Sequence, residues 1–413
     1  MKKNEAILAR QKINIRFKNA DMDFMFNWAV GVSQIVGMSA SQIFYALHGV
    51  QDDDPEDWRK GLTEQAQALL EQAKALLGSE QPIAAGQAYL GAAYAYRSAL
   101  QFTSPSSTAF FDWAGMMETC FQEGCRLIGV PLRPIEVPFG DKTLAGYYLE
   151  HDGQPRPVVI MVGGGDTYRE DLFYFAGYPG WKRGYNVLMV DLPGQGLMPS
   201  RGMTFQPDMA AAVHAEFTWL ESNAAVEPKQ IAIYGVSGGG YITAQSVVAE
   251  PRIGAWVAAT PIFDLGAVMK HEMGAAAVAP KWALKTIMKL TRSLNESAAV
   301  NLDKYAWQFG TTDFKTIIEG VEQQAPVVDC TRINVPSLFL VSEGEGLELQ
   351  RQTEAVALDL KKRNVPVTVR RFTAAEGADG HCQVNNLRLA HMVVFDWLDR
   401  IFAHDSGDVR LRA

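Results

Sequence analysis

The chain has 413 residues, 48% of them hydrophobic and 20% charged, enough for a large core and more than one structural unit. Its 38 basic and 46 acidic residues leave a net charge of −8, and the longest basic cluster is Lys361-Lys362-Arg363, which argues against nucleic acid as substrate or partner. The four cysteines, at 120, 125, 330 and 382, lack metal-ligand spacing and are too few for a disulfide framework, so a cytoplasmic location is expected.

Met1-Lys2-Lys3 and the apolar stretch from Phe24 to Ala40 together imitate a secretory signal. However, about twenty mostly polar residues separate them, and Asp21, Asp23, Asn27, Ser33 and Gln34 flank or interrupt the stretch. An amphipathic helix packed on the rest of the protein is predicted over residues 24–40. No other segment reaches transmembrane length, and no membrane partner is expected. Further on, Asp54-Pro55-Glu56-Asp57 is a helix start, with an N-cap, a proline at the first helical position and acids in the first turn. Trp58, Leu62, Leu69, Ala73 and Leu76 then recur at helical spacing. Helices are also predicted over Pro82–Phe102 and Thr108–Leu127, where Cys120 and Cys125 share a face. Residues 1–130 therefore read as a helical cap or accessory domain.

From Pro131 the period changes. Ile135–Phe139 and Thr143–Leu149 read as two strands joined by the Gly140-Asp141 turn. The short apolar runs Pro157–Val162, Tyr185–Val190, Gln230–Tyr234, Ala255–Ala259, Ser337–Val341 and Val365–Phe372 are mostly separated by helical patterns. Buried parallel strands with crossover helices produce that alternation. It lapses over residues 264–328, where Lys281–Leu294 and Ala299–Glu322 look helical. An inserted lid above the carboxyl edge of the sheet is expected there.

Gly235-Val236-Ser237-Gly238-Gly239 directly follows the run Gln230–Tyr234 and precedes a helix-compatible segment. This G-x-S-x-G pattern places a serine on a tight strand-to-helix turn. A serine hydroxyl needs a histidine to take its proton and an acid to orient that histidine, in chain order Ser, Asp/Glu, His. Of the seven histidines, His381 lies in the loop after the last predicted strand and is the candidate base. The acid is expected just beyond Ser337–Val341, where the sequence reads Ser342-Glu343-Gly344-Glu345-Gly346. Glu345 is preferred because a few turn residues ordinarily separate strand and acid; Glu343 is the runner-up, and Asp379 or Glu376 near His381 are the further alternatives. Backbone N–H groups of Gly165, in Gly163-Gly164-Gly165-Asp166, and of Gly238 are the expected oxyanion donors. Neither a dinucleotide fingerprint nor a P-loop lysine accompanies that loop, and no metal motif is present in the sequence. Asp191-Leu-Pro-Gly-Gln-Gly196 reads as a structural turn.

With these residues in place the chain resembles the α/β-hydrolase superfamily, and within it the branch of 2,6-dihydroxypseudooxynicotine hydrolase and the fungal hydrolases that shorten pigment polyketides. The segment Phe372-Thr-Ala-Ala-Glu-Gly-Ala-Asp-Gly-His-Cys-Gln383 and the later Phe395-Asp-Trp-Leu398 carry the likeness most specifically. The glycine loop, the elbow and the helical beginning agree with it. The resemblance implies a mostly parallel eight-stranded sheet over 131–413, no cofactor, and cleavage of esters or of C–C bonds beside ketones. It also implies a homodimer for several members, with the site between helical and catalytic parts. The family's acid is normally aspartate, so Glu345 is a departure. The expected activity is hydrolysis of a small or medium hydrophobic molecule, aromatic or polyketide-like, by Ser237, His381 and Glu345. An ester is the first expectation and a β-diketone the second. A peptidase is disfavoured by the helical beginning, and a non-catalytic ligand-binding scaffold would ordinarily have lost the serine or histidine.

Overall fold

The computed structural model describes residues 10–406; the Met1-Lys2-Lys3 start lies outside them. Five helices come first, the first three opening on side-chain caps. The side chain of Asn19 accepts N–H groups at the start of α1 (Ala20–Val32), and a Ser39/Gln42 capping box opens α2 (Ala40–Leu47). Asp54 accepts the Asp57 N–H at 2.9 Å to open α3 (Pro55–Gly78). The antiparallel pair α4 (Pro82–Leu100) and α5 (Thr108–Leu127) follows. The single amphipathic helix expected over 24–40 is not formed. The chain leaves the helix after Val32, and α1 is buried nearly all round, from Met22 to Ala29. Its acid, Asp23, tolerates burial because it accepts the backbone N–H groups of Ile15, Arg16 and Phe17 at 2.6–2.9 Å.

The sheet comprises β1 (Leu132–Phe139), β2 (Lys142–Leu149), β3 (Arg156–Val162), β4 (Asn186–Val190), β5 (Val226–Val236), β6 (Ala255–Ala259), β7 (Ser337–Ser342) and β8 (Val367–Phe372), in the order β1-β2-β4-β3-β5-β6-β7-β8. β1 and β2 pair antiparallel, β2 joins β4 antiparallel, and every later pairing is parallel. Strand residues alternate between two cores. Tyr147, Val159, Met161, Met189 and Tyr234 face the side shared with α1–α5, whereas Tyr148, Val158, Ile160, Leu188 and Ile233 face the other. Each such side chain is essentially inaccessible to water and contributes roughly 1.5–3 kcal/mol relative to exposure.

Crossovers run through α6 (Arg169–Leu172), which passes by a π-turn into α7 (Tyr178–Lys182), then α8 (Ala210–Asn223) and α9 (Gly238–Ala249). Between β6 and β7 stand α10 (Leu265–Met273), α11 (Lys281–Leu294), α12 (Glu296–Phe309) and α13 (Phe314–Gln324). The single helix expected over Ala299–Glu322 is therefore two, because Gly310 adopts φ 69° and caps α12, and Asp313 opens α13. The chain ends with α14 (Leu347–Lys362) and α15 (Leu387–Ser406). β3 has β4 on one side and β5 on the other, so chain direction across the sheet reverses there. The crevice at the carboxyl ends of β3 and β5 is where such sheets place a site.

Candidate active site

Ser237 stands between β5 and α9 with φ 55° and ψ −125°, a conformation that costs a non-glycine residue about 1–3 kcal/mol. The surroundings hold it there. Its N–H donates to the Ala259 carbonyl at 2.8 Å, and its own carbonyl accepts the Gly240 N–H at 2.8 Å. The flanking glycines are dictated by space: a Cβ on Gly235 would lie 2.2 Å from the Gly239 carbonyl oxygen, and one on Gly239 would lie 2.3 Å from that of Val162.

Glu345 lies in the turn after β7 with its carboxylate wholly inaccessible. One of its oxygens is 2.7 Å from Nδ1 of His381, and the other accepts the Cys382 N–H at 3.4 Å. The alternative acids point elsewhere. Glu343 is engaged by Lys12 Nζ at 3.1 Å and the Ala374 N–H at 2.6 Å. Asp379 accepts the Lys12 and Ile13 N–H groups, and Glu376 takes Arg370 and Thr373. Burial alone would lower the pKa of His381, but its surroundings, the Glu345 carboxylate among them, outweigh it and hold the imidazole well above its ordinary value.

Among the described residues, Ser237 Oγ makes no hydrogen bond to His381. The two are linked through one carbonyl: Ala259 O accepts both the Ser237 N–H and, at 2.9 Å, the Cys382 thiol. Catalytic contacts of this kind are often long before substrate binds. Cys382, to which the sequence reading gave no role, thus fastens the histidine loop to the elbow. Burial pushes its thiol up, so it stays protonated and a poor nucleophile.

The loop after β3 approaches the serine closely. A Cβ on Gly164 would lie 2.7 Å from the Cβ of Ser237 and 3.1 Å from its Oγ, and one on Gly238 would be 3.7 Å from the Gly165 nitrogen. The N–H of Gly238, first residue of α9, has no intrahelical acceptor and sits at the positive end of the helix dipole. The backbone of Gly165 therefore passes close to Gly238.

Several polar residues around this loop were not singled out in the sequence. Asp166 meets Arg10 Nη1 at 3.3 Å, and Arg97 donates to the Asp166 carbonyl at 2.6 Å while pairing with Asp171 at 2.6 Å. Burial would raise the Asp166 carboxyl, but Arg10, Lys304 and Arg97 overcome it and hold it below the usual range. Lys304, on α12, donates to the Gln101 carbonyl at 3.2 Å; burial pulls its pKa down to about 8 against the attraction of Asp166. The Arg10 carbonyl accepts the His381 N–H at 2.6 Å, its guanidinium lies 5.2 Å from the centre of the Phe24 ring, and that ring stands 6.3 Å from the His381 ring. One signal was legible in principle for Arg97: it interrupts an Ala- and Tyr-rich helix in which Tyr94 to Leu100 leave no polar face.

Among the described residues no helix is long and apolar enough to cross a membrane, and no three His, Cys, Asp or Glu stand together as a metal site.

Comparison with known proteins agrees with this architecture. The family model described as "Esterase FrsA-like" matches residues 56–303. The hydrolase LUC6 of Fusarium sp is 25% identical over 94% of this chain and 97% of its own length. The 20-hydroxy-prefusarin hydrolase FUS2 of Gibberella moniliformis is 25% identical over 94% and 98%. Among solved structures, 2,6-dihydroxy-pseudo-oxynicotine hydrolase superposes with a TM-score of 0.67 at 19% identity, covering 91% of this chain and 96% of that one. Wild-type AbyA5 superposes with a TM-score of 0.59 at 16% identity, covering 86% and 87%. The fold is that of the α/β hydrolases.

Proposed function

The chain belongs to the FrsA-like esterase family, and we propose that it is a cofactor-independent hydrolase working through Ser237, His381 and Glu345. The observation that carries this reading is the buried 2.7 Å contact between Glu345 and His381, set one carbonyl away from a serine held at φ 55°. In the proposed cycle Ser237 Oγ attacks a carbonyl carbon as His381 Nε2 takes its proton. Glu345 fixes the tautomer through Nδ1 and stabilises the imidazolium. The Gly165 and Gly238 N–H groups receive the oxyanion. The imidazolium then protonates the leaving group, and water, deprotonated by the same histidine, releases the acid from the serine.

The substrate class proposed is an ester or other acyl carbonyl of a small or medium hydrophobic molecule. Phe24 beside His381 supplies an apolar wall for such a group. A second reading, hydrolysis of a C–C bond in a β-diketone, is favoured by Arg10. An enolate leaving group needs a cation nearby, and the Arg10 guanidinium pairs with Asp166 and lies over the Phe24 ring that stands beside His381. Measuring turnover of aryl esters against a β-diketone, with Ser237→Ala as control, tests both. Serine-dependent turnover of neither class would overturn the proposal.

A further inference from the structure

The loop Gly163–Asp166 is tied down by a row of side chains, one to each successive carbonyl. Gln195, from the turn after β4, donates to the Gly163 carbonyl at 2.6 Å, and Thr167 Oγ1 donates to that of Gly164 at 3.1 Å. Gln308, on α12, donates through Nε2 to the carbonyl of Gly165, and Arg97, on α4, donates to that of Asp166. Two of the four donors come from outside the sheet-and-crossover core: one from the inserted helices, one from the helices that precede the sheet.

The direction of these bonds matters because a trans peptide is planar, so a carbonyl and the following N–H point opposite ways. Holding the Gly164 carbonyl on Thr167 turns the Gly165 N–H away from Thr167. The next peptide plane is held at its carbonyl by Gln308. Gly165 has no side chain, and a Cβ built on it would meet nothing within 4 Å, so no side-chain contact restrains its φ and ψ. Hydrogen bonds on its two flanking planes do. Gln308 is itself a built part: 8% exposed, with its carbonyl accepting the Phe205 N–H at 2.8 Å and the neighbouring Phe309 ring 4.9 Å from that of Phe205. That anchor reaches the same turn again, since Gly194 leaves no room for a Cβ against Phe205 and precedes Gln195.

We propose that Gln308 is a positioning residue for the oxyanion site, and that the Gly165 N–H is correctly aimed only while α12 is seated on the loop. The inference rests on the reading of Gly165 and Gly238 as oxyanion donors. It makes the inserted helices part of the catalytic apparatus: displacement of α12 withdraws Gln308 and frees Gly165, so an open site binds a carbonyl without polarising it.

The test uses the full chain with Gln308→Met, which keeps length and bulk but lacks the donor, and Gln308→Glu, which places an acceptor against the carbonyl. Three readouts are taken: kcat and KM on an aryl ester, the affinity of an aryl boronic acid that becomes tetrahedral on the serine, and that of an unreactive ketone of the same shape. Removing an oxyanion donor outright costs about 10²–10³ in kcat, so loosening one predicts a loss of roughly tenfold or more. KM and ketone affinity stay within about threefold, and boronate affinity falls in step with kcat. Equal loss of ketone and boronate affinity would assign Gln308 to general pocket shape and overturn the proposal, as would unchanged kcat in both variants. Should one variant fail to fold, the other decides. Boronate affinity that is the same in the wild type and in Ser237→Ala refutes the parent reading, and this proposal with it; serine-dependent boronate binding with silent Gln308 variants refutes only the latter.

Discussion

Replacing Glu345 by glutamine keeps the size of the side chain and removes its charge. The carboxylate is completely buried and 2.7 Å from Nδ1 of His381, so water screens little of their attraction. Taking charge centres about 4 Å apart at an effective dielectric of about 20, the pair is worth roughly 4 kcal/mol when His381 is protonated. In the proposed cycle that protonated state is the one formed as Ser237 attacks. Losing the whole of it would lower kcat about 10³-fold; an amide oxygen that still accepts the Nδ1 proton retains part, so the expected loss is about 10²–10³. The acid limb of kcat/KM should also move to lower pH, because Glu345 is one of the groups holding His381 above its ordinary value. The matched control is Glu343→Gln, whose partners are Lys12 and the Ala374 N–H; it should change kcat less than about twofold, as exposed pairs contribute little. The assay is a pH–rate profile on an aryl ester with melting temperatures alongside. A Glu345→Gln enzyme within threefold of wild type, or a Glu343→Gln enzyme that loses more, would refute the assignment.

The same pair predicts that activity and stability move in opposite directions with pH. The folded pKa of His381 is raised, so its pairing with Glu345 stabilises the fold fully below about pH 6.5 and is lost as pH rises through the folded value. Activity, which needs the neutral imidazole, rises through that same window, and Glu345→Gln should flatten the stability slope in thermal melts. Lys304→Met should stabilise the protein at neutral pH. Its folded pKa of about 8 against an ordinary 10.5 implies a burial penalty of about 3 kcal/mol, at about 1.36 kcal/mol for each pH unit, absent above pH 10.5. Denaturant titrations of variant and wild type at pH 7 and in the pH range above 10 check the sign; a gain that does not shrink with pH would contradict it. Gly164→Ala should lower kcat at least about tenfold, since the new Cβ would fall 2.7 Å from that of Ser237 and one of the two must move. A folded Gly164→Ala protein with normal turnover would show that the loop does not need this approach.

The sheet was legible because its strands are short apolar runs bounded by turns, and burial on both faces leaves little else for such runs to do. Ser237 and His381 were legible for a different reason: a glycine-flanked turn and a chain order are local facts. Glu345 could be preferred over Glu343 only by loop length, because two glutamates two residues apart look alike until one is buried against an imidazole and the other meets Lys12. What the sequence concealed is tertiary. Arg10, Arg97, Lys304 and Gln308 come from distant stretches and meet only around Asp166 and Gly165, and nothing in their own neighbourhoods marks them as a group. The end of α1 at Val32 was missed because apolar residues, Ile35 and Val36, continue past it; the break at Gly310 carried a local signal, a glycine cap followed by the Asp313 N-cap, that was read through.

Intact-mass analysis after treatment with a fluorophosphonate measures directly whether Ser237 is an activated nucleophile. One adduct on the wild type, absent from Ser237→Ala and His381→Ala and strongly slowed in Glu345→Gln, is the predicted result. A folded wild type that takes no adduct, or an adduct that persists in Ser237→Ala, would contradict it.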